Sequence, residues 1–93
     1  MSNYTDPNIS VESIALELKM SSVYLGRVFK QSTSTSVADY ILGLRMNYAK
    51  ELLTTESSIN DIAVKTGILN ANYFYTKFKK LYGMTPIEFK KIN

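Results

Sequence analysis

The feature of this sequence that most constrains its fold is a repeat with a period of 48 to 49 residues. Ile14-Ala15 recurs as Ile62-Ala63 at an offset of 48. Phe29-Lys30 recurs as Phe78-Lys79 at an offset of 49, so the second copy has one extra residue, which we place around Gly67. Two copies are too few for a helical solenoid. The 93 residues are therefore predicted to form one small domain built from two related units.

Cap residues followed by apolar residues at helical spacing mark the helices. Each copy reads as a helix, a short turn and a second helix, which is the helix-turn-helix arrangement. Because no alternating strand pattern occurs, the predicted fold class is all-α. The caps and apolar faces are Ser10 with Val11, Ile14, Ala15 and Leu18; Ser21 or Ser22 with Leu25, Val28 and Phe29; Ser36, in a capping box with Asp39, with Val37, Tyr40, Ile41, Leu44, Tyr48, Leu52 and Leu53; Ser58 with Ile59, Ile62 and Ala63; Asn70 with Phe74, Phe78 and Leu81; and Thr85 before Pro86 and Glu88.

A long helix between the two copies sets their separation. We predict a single domain over residues 1–93, with a first unit at about 9–35, a linker helix at about 36–55 and a second unit at about 58–92. Residues 37–54 as a helix span roughly 27 Å. With the half-widths of the flanking helices added, the two units can lie about one turn of DNA, roughly 34 Å, apart.

The second helix of each unit has a polar face opposite its apolar face. At about 100° per residue, Leu25 and Phe29 lie within about 40° of each other and define the buried direction. Short side chains near the helix start, with cations further along, suit a recognition helix in the major groove. The outward residues are Val23, Arg27 and Lys30 in the first copy, with Gly26 at the side, and Asn72, Thr76 and Lys79 in the second.

Positive charge is concentrated in the last third of the chain. Residues 65–93 carry six lysines against Glu88, which gives +5, and residues 1–64 carry five Lys or Arg against seven Asp or Glu, which gives −2; the sum is the net charge of +3. A basic segment suits phosphate binding, because each neutralised phosphate releases counterions. A solvated lysine face explains the same charges, so the distribution alone leaves both readings open.

Composition argues against an enzyme. The chain has neither histidine nor cysteine, which removes the commonest general base, the commonest metal ligand and the thiolate nucleophile. No cofactor and no metal site are expected. No apolar run approaches the roughly 18 residues that span a bilayer, and the first residues lack the apolar core of a signal peptide, so we expect a cytoplasmic protein.

Individual residues can be assigned to bases or to phosphates. Arginine pairs with guanine, asparagine with adenine, and a threonine or valine methyl packs on thymine. The alternative readings are a solvated or salt-bridged Arg27, an Asn72 that only solvates the first helical turn, and an ordinary exposed Thr76. The base-reading candidates are Val23, Gly26, Arg27, Asn72, Tyr73 and Thr76. The phosphate candidates are Ser21, Ser22, Lys30, Asn70, Tyr75, Lys77, Lys79 and Lys80, of which Ser21, Ser22 and Asn70 are read as helix caps first.

At these residues the sequence resembles the DNA-binding domain of the AraC/XylS family of transcription regulators. Residues 10–15 and 20–30 resemble its first helix-turn-helix, and Arg45-Met46 with residues 49–53 its linker helix. Its second unit is matched in register by Ile62-Ala63, Gly67, Asn72-Tyr73-Phe74, Phe78-Lys79-Lys80, Gly83-Met84-Thr85-Pro86 and Phe89. The resemblance covers about residues 9–91. It implies two homeodomain-like helix-turn-helix units joined by a long helix, about seven helices with the first partly missing.

The resemblance also implies partners and a larger protein. Residues 3–7 are similar to the segment that precedes this domain in YesN-type response regulators, so an upstream receiver or sensor domain is expected. The implied partners are double-stranded DNA and, at promoters, RNA polymerase, with this fragment monomeric and dimerisation left to the full-length protein. Four positions depart from the family pattern and leave the base preference open: Gly26, Ser34 in place of glycine, Ile68 in place of an aromatic residue, and Thr76 in place of arginine.

Three further expectations concern packing. Leu25, Phe29, Phe74 and Phe78 are predicted to be core residues. Arg45 is expected to brace the two units, and Gly43 to allow close packing between helices.

The rivals to DNA binding are a helical protein–protein module, which would use the same outward faces as a groove, and an enzyme built on a carboxylate-bound Mg²⁺, for which no cluster is visible in the sequence.

Overall fold

The computed structural model describes residues 4–55 and 58–92, and the only regular secondary structure in this part of the chain is helical. Its helices are α1 (Val11–Glu17), α2 (Ser22–Thr33), α3 (Val37–Leu52), α4 (Ile59–Thr66), α5 (Ala71–Tyr82) and α6 (Pro86–Ile92). The all-α prediction is confirmed. Six helices are described rather than seven, because residues 4–8 form turns and bends where the partly missing first helix was expected. Asn3, in the predicted lead-in, lies outside the described residues.

The predicted caps start the helices. At Ser10, Ser21, Ser36, Ser58 and Asn70 the side-chain oxygen accepts a hydrogen bond from the backbone N–H three residues later. At Ser36 this bond, from Asp39, is the hydroxyl half of the predicted capping box. Reciprocal boxes join Ser10 with Ser13 and Thr85 with Glu88. Each bond satisfies an N–H group that has no partner inside its own helix.

Helix α3 lies between two lobes. The first lobe (α1 and α2) packs against α3 through α2, and the second lobe (α4, α5 and α6) packs against it through α4. The molecule is elongated, with principal extents of 43 × 22 × 20 Å. Along the described ranges, no helix is both long enough and apolar enough to cross a membrane.

The second lobe contains the main hydrophobic core. Phe74 and Phe78 are completely buried, and the ring of Phe78 makes edge contacts with Tyr82 and Phe89 at 4.7 and 5.7 Å between centroids. The prediction that Phe74 and Phe78 are core residues is confirmed. The core cluster consists of Met46, Ala49 and Leu53 from α3 and its end, with Ile62, Ala63, Ile68, Phe74 and Phe78 from the second lobe.

The first lobe is only partly covered, which corrects the prediction for Leu25 and Phe29. Both are half-buried, and no residue of α2 is fully buried. The reason is the small size of the neighbouring elements: α1 has only 7 residues, and Phe29 meets α3 through the half-exposed Tyr40, at 5.4 Å between ring centroids. Val28 is likewise 39% exposed.

Two other residues predicted to face inward are exposed. Leu18 is 55% exposed at the C-cap of the short helix α1. Leu81 is 50% exposed because it lines an open groove between α3 and the last turn of α5. Gly43 also lines that groove, and a Cβ built on it meets nothing within 4 Å. The expectation of close helix packing at Gly43 is therefore wrong.

The turns of the two units can be aligned from their hydrogen bonds. Met20 N–H donates to the Ala15 carbonyl at 3.0 Å, and Ile68 N–H donates to the Ala63 carbonyl at 2.9 Å. These equivalent bonds keep the offset at 48, whereas the caps Ser21 and Asn70 are 49 apart. The extra residue of the second copy is therefore Leu69, two positions after the predicted Gly67.

The same alignment pairs the left-handed backbone positions of the two units. In the turn, Lys19 has φ 59° and its equivalent Gly67 has φ 96°. At the end of the second helix, Ser34 has φ 63° and its equivalent Gly83 has φ 75°. Glycine adopts this region without a Cβ clash, whereas other residues are strained there. The substitution of glycine by Ser34, noted in the sequence, thus places a strained residue at a C-cap.

Candidate nucleic-acid interface

The predicted reading face of α2 is open to solvent. Val23 is 76% exposed, and Arg27 and Lys30 are also exposed. Gly26 lies beside them, and a Cβ built on it meets nothing within 4 Å. The Arg27 guanidinium lies over the Tyr24 ring, 6.0 Å from its centroid, so the cation is held next to the first turn of the helix.

The equivalent face of α5 is also open. Asn72, Tyr73 and Thr76 are exposed near the start of the helix. The Lys77 ammonium lies 5.5 Å from the centroid of the Tyr73 ring. Of the remaining candidates, Lys79 and Lys80 are exposed, and Tyr75 and Lys77 are half-buried. The face thus has polar side chains at its start and four lysine or tyrosine side chains beside or beyond them.

The starts of both helices are occupied by caps. Ser21 Oγ accepts from the Tyr24 N–H, and Asn70 Oδ1 accepts from the Tyr73 N–H, both at 3.0 Å. The reading of Ser21 and Asn70 as caps is confirmed, whereas Ser22 is the first residue of α2 and not its cap.

The alignment of the two units identifies one residue that the sequence reasoning missed. Tyr24 is equivalent to Tyr73 at an offset of 49. The two side chains are 51% and 46% exposed, and each lies under a cation of its own helix. Only Tyr73 was predicted as a site residue, although the repeat itself contained the signal for Tyr24.

The dimensions of the molecule suit two separate contacts on one duplex. Its longest extent, 43 Å, exceeds the roughly 34 Å between successive major-groove segments on one side of B-form DNA. Within the described residues, no three His, Cys, Asp or Glu side chains come together in a way that could hold a metal ion.

Comparisons with known proteins agree with this geometry. The model of a helix-turn-helix domain family matches residues 14–92. The chain is 37% identical over 92 residues to the bifunctional transcriptional activator/DNA repair enzyme AdaA of Bacillus subtilis (strain 168), a match that covers 98% of this chain and 43% of AdaA. It superposes with a TM-score of 0.91 and 40% identity on the C-terminal domain of the two-component response regulator yesN from Fusobacterium nucleatum subsp. nucleatum ATCC 25586, covering 95% of this chain and 86% of that one.

The chain is an AraC-type helix-turn-helix domain. A further solved structure is that of the DNA-binding domain of AdpA in complex with a target DNA, which matches with a TM-score of 0.88 over 96% of this chain and 80% of that chain. At 21% identity this likeness concerns the fold. The AraC-type domain described here spans less than half the length of AdaA.

Arg45 of the AraC-type domain contacts a segment that the sequence did not associate with it. Its Nε donates to the Tyr4 carbonyl at 2.7 Å, and its terminal nitrogen donates to the Asp6 carbonyl at 2.8 Å. Nε also lies 3.2 Å from the position that a Cβ on Gly67 would take. Rather than directly bridging the two lobes, Arg45 thus holds residues 4–6 beside the turn of the second lobe.

The electrostatic setting of Arg45 extends to the recognition helix. Burial lowers the pKa of the Arg45 guanidinium, while the nearby Tyr73 phenol and the Asp6 carboxylate act in the opposite direction. An arginine remains protonated despite such a shift. The cation of α3 is therefore half-buried between the N-terminal residues and the first turn of α5. Sequence reasoning could not find these contacts, because they join an arginine to main-chain carbonyls 39 and 41 residues away.

Proposed function

We propose that this AraC-type domain binds double-stranded DNA sequence-specifically and regulates transcription, with α2 and α5 inserted into successive major-groove segments. The observation that carries the proposal is the repetition of one surface. Equivalent helices of both lobes expose short or polar residues at a capped start and cations further along, while their opposite faces pack inwards. The AdpA domain, which has the same fold, was solved in complex with a target DNA.

Within this proposal, bases are read by the first turns of the two helices. Arg27 reaches guanine, Val23 packs on a thymine methyl, and the open space at Gly26 lets the backbone of α2 approach the groove closely. On α5, Asn72 and Thr76 face the bases with Tyr73 beside them. The phosphate contacts come from Ser22 and Lys30 on α2, from Tyr75, Lys77, Lys79 and Lys80 on α5, and from the N–H groups at the Ser21 and Asn70 caps. To these we add Tyr24 as the counterpart of Tyr73.

We further propose a binding role without catalysis, in the cytoplasm, for a domain covering residues 1–93 with units at about 9–35 and 58–92. The relatives are mostly transcription regulators, and the repair activity in the name of AdaA belongs to that protein. The likeness to the yesN domain supports an upstream receiver domain in the whole protein. RNA polymerase is then the partner at promoters, and dimerisation is a property of the full-length chain.

The proposal is tested by selecting duplexes of about 30 base pairs, roughly three helical turns, from a random library with the purified chain. A sequence motif in two parts about one turn apart is expected. Affinity for the selected duplex should fall linearly with salt concentration on logarithmic axes, with a steep slope for several phosphate contacts. Failure to enrich any motif would contradict sequence-specific binding, and a nearly flat salt dependence would favour the protein–protein module.

The positions of the two helices on the duplex can be mapped separately. Because the chain has no cysteine, a single cysteine introduced as Gln31→Cys on α2 or as Lys80→Cys at the equivalent position of α5 can carry a DNA-cleaving iron chelate. The two labelled proteins should cut the selected duplex at centres about 10 base pairs apart. Overlapping cleavage centres would contradict the insertion of two helices into successive groove segments.

A further inference from the structure

Residues 4–6 of the chain, here called the lead-in segment, pack against both α3 and the second lobe. The Tyr4 ring makes an edge contact with Tyr48 of α3, with 6.4 Å between centroids and an interplanar angle of 90°. The carbonyls of Tyr4 and Asp6 accept hydrogen bonds from the guanidinium of Arg45. The main chain of the segment is therefore held by one side chain that binds it at two points.

The lead-in segment also touches the turn that precedes α5. The Thr5 carbonyl oxygen lies 2.5 Å from the position of a Cβ built on Gly67, and the Thr5 carbonyl carbon lies 2.9 Å from it. Such distances are shorter than any real Cβ contact, so the segment can lie here only because residue 67 is glycine. Gly67 ends α4 in the left-handed conformation, three residues before the Asn70 cap of α5. The contact is thus made at the turn that determines the direction of α5.

Over residues 4–55 and 58–92, the turn of the first lobe has no such support. Its equivalent turn position is Lys19, whose side chain is exposed, and its recognition helix α2 contains no fully buried residue. The second recognition helix has a buried face, and its turn is held from the outside by Arg45 and the lead-in segment. This asymmetry indicates that the lead-in segment acts on α5 and not on α2.

We propose that Arg45 is a positioning residue for the second recognition helix: by binding the carbonyls of Tyr4 and Asp6 it clamps residues 4–6 against the Gly67 turn, and this clamp sets the orientation in which α5 presents Asn72 and Thr76. The inference rests on the proposed DNA-binding function. Its consequence is that a displacement of the chain before Thr5 changes binding to the half-site read by α5 and leaves the other half-site unaffected. Burial lowers the pKa of Arg45 and the Tyr73 phenol opposes that shift, which agrees with a clamp that lies close to the first turn of α5.

The experiment measures a ratio of affinities, because a ratio cancels any general loss of folded protein. One probe is the selected duplex; the other has the half-site assigned to α5 by the Lys80→Cys cleavage replaced by unrelated sequence. Two variants break the clamp. Arg45→Gln removes the guanidinium, and deletion of residues 1–6 removes the carbonyls of Tyr4 and Asp6 that accept its hydrogen bonds. Deletion of residues 1–3 is the matched control, and Arg45→Lys tests for rescue, since lysine keeps the charge but lacks the fork.

For the parent and for the deletion of residues 1–3, the intact duplex should bind much more tightly than the half-replaced one. In Arg45→Gln and in the deletion of residues 1–6, this preference should shrink by about tenfold, the usual consequence of losing charged hydrogen bonds. Arg45→Lys should fall between the two groups. The proposal would be overturned if both clamp variants kept the preference of the parent. This includes the case in which they lose affinity equally on the two duplexes.

A measurement without DNA separates this proposal from the one on which it rests. Amide hydrogen exchange should become faster at Ile68 and in the first turn of α5 in both clamp variants, while the first turn of α2 serves as the internal reference. Should the parent chain show no sequence-specific DNA binding at all, the proposed function fails and the clamp is judged on exchange alone. Equal acceleration in α2 and α5, or none in either, then contradicts the clamp.

Discussion

The two helix-turn-helix units follow the same backbone path but stabilise it differently. The second unit has glycine at both left-handed positions, Gly67 and Gly83, and its helices share a core of fully buried side chains. The first unit has Lys19 and Ser34 at those positions, and its recognition helix contains no fully buried residue. The comparison shows that an exposed reading face does not require a well-packed unit beneath it, because α3 supplies the shared support.

A difference in packing of this kind implies a difference in local stability. Segments with few buried apolar contacts open at lower free energy than the core of the same protein. The first unit is therefore expected to open before the second. Four sets of substitutions test this difference between the units, in order of decreasing expected effect.

The first pair truncates equivalent phenylalanines. Phe78→Ala should lower the free energy of unfolding by about 3–5 kcal/mol, because it empties a fully buried site. Phe29→Ala should cost only about 1–2 kcal/mol, because the half-buried ring loses less area and water can enter the gap. Urea unfolding followed by circular dichroism measures both values. Equal costs would show that the two units form one uniform core.

The second pair makes the same chemical change at glycines in different settings. Gly67→Ala should destabilise the protein by about 2 kcal/mol, because alanine is strained at positive φ and its Cβ would collide with the Thr5 carbonyl. Gly26→Ala should stabilise it by about 0.5–1 kcal/mol, because the site is mid-helical and the Cβ meets open space. Thermal unfolding gives both signs. The same sign for both would contradict the geometry at one of the two glycines.

The third test transfers glycines to the first unit. Lys19→Gly and Ser34→Gly should each raise stability by about 0.5 kcal/mol, because the relief of left-handed strain exceeds the entropy that glycine adds to the unfolded chain. Gly83→Ser, which copies the first unit into the second, should lower stability by a similar amount. If the first-unit glycines destabilise the protein, the strain assigned to Lys19 and Ser34 is absent.

The smallest effect concerns pH and separates the two reciprocal capping boxes. The hydrogen bond that the Thr85 backbone N–H donates to the Glu88 carboxylate, and after it the nearby Thr85 side chain, lower the pKa of the Glu88 carboxyl below its ordinary value of about 4.3. A lowered pKa in the folded state stabilises the protein above the ordinary pKa, and this contribution is lost as the pH falls through the lowered value. Glu88→Gln should therefore remove a small part of the acid sensitivity below pH about 4, as measured by urea unfolding across pH.

The control for that measurement lies in the first unit. The box between Ser10 and Ser13 contains no titratable group, so Ser13→Ala should shift stability by the same amount at every pH. A pH-dependent effect of Ser13→Ala would show that the acid response does not come from the Glu88 box.

Local signals in the sequence were sufficient for the helices and for most of the caps. Ser10, Ser36, Ser58 and Asn70 were predicted as caps and are caps, because a cap depends on an oxygen and an N–H three residues apart. The direction of the recognition faces follows equally from helical periodicity. The roles of the predicted base and phosphate contacts remain predictions, since they depend on a partner that the sequence does not contain.

Burial was predicted less well. Leu25, Phe29 and Leu81 have the same apolar character and spacing as Phe74 and Phe78, yet they are partly or largely exposed. Periodicity identifies the face of a helix that is apolar, but the length and position of the neighbouring helix decide how much of that face is covered. Among the described residues, the 7-residue α1 covers only part of the apolar face of α2, and Leu81 of α5 lines an open groove beside α3.

The helices and their two outward polar faces could be read from the sequence, because these properties depend on residues only a few positions apart, and the duplication could be read from the repeat itself. Three properties became visible only in the folded chain: Arg45 binds the carbonyls of Tyr4 and Asp6, Gly67 makes room for Thr5, and one unit is well packed whereas the other is not. Those properties depend on groups that the folded chain brings together from distant positions. Main-chain carbonyls in particular are present at every residue, so no sequence pattern distinguishes the two that Arg45 binds.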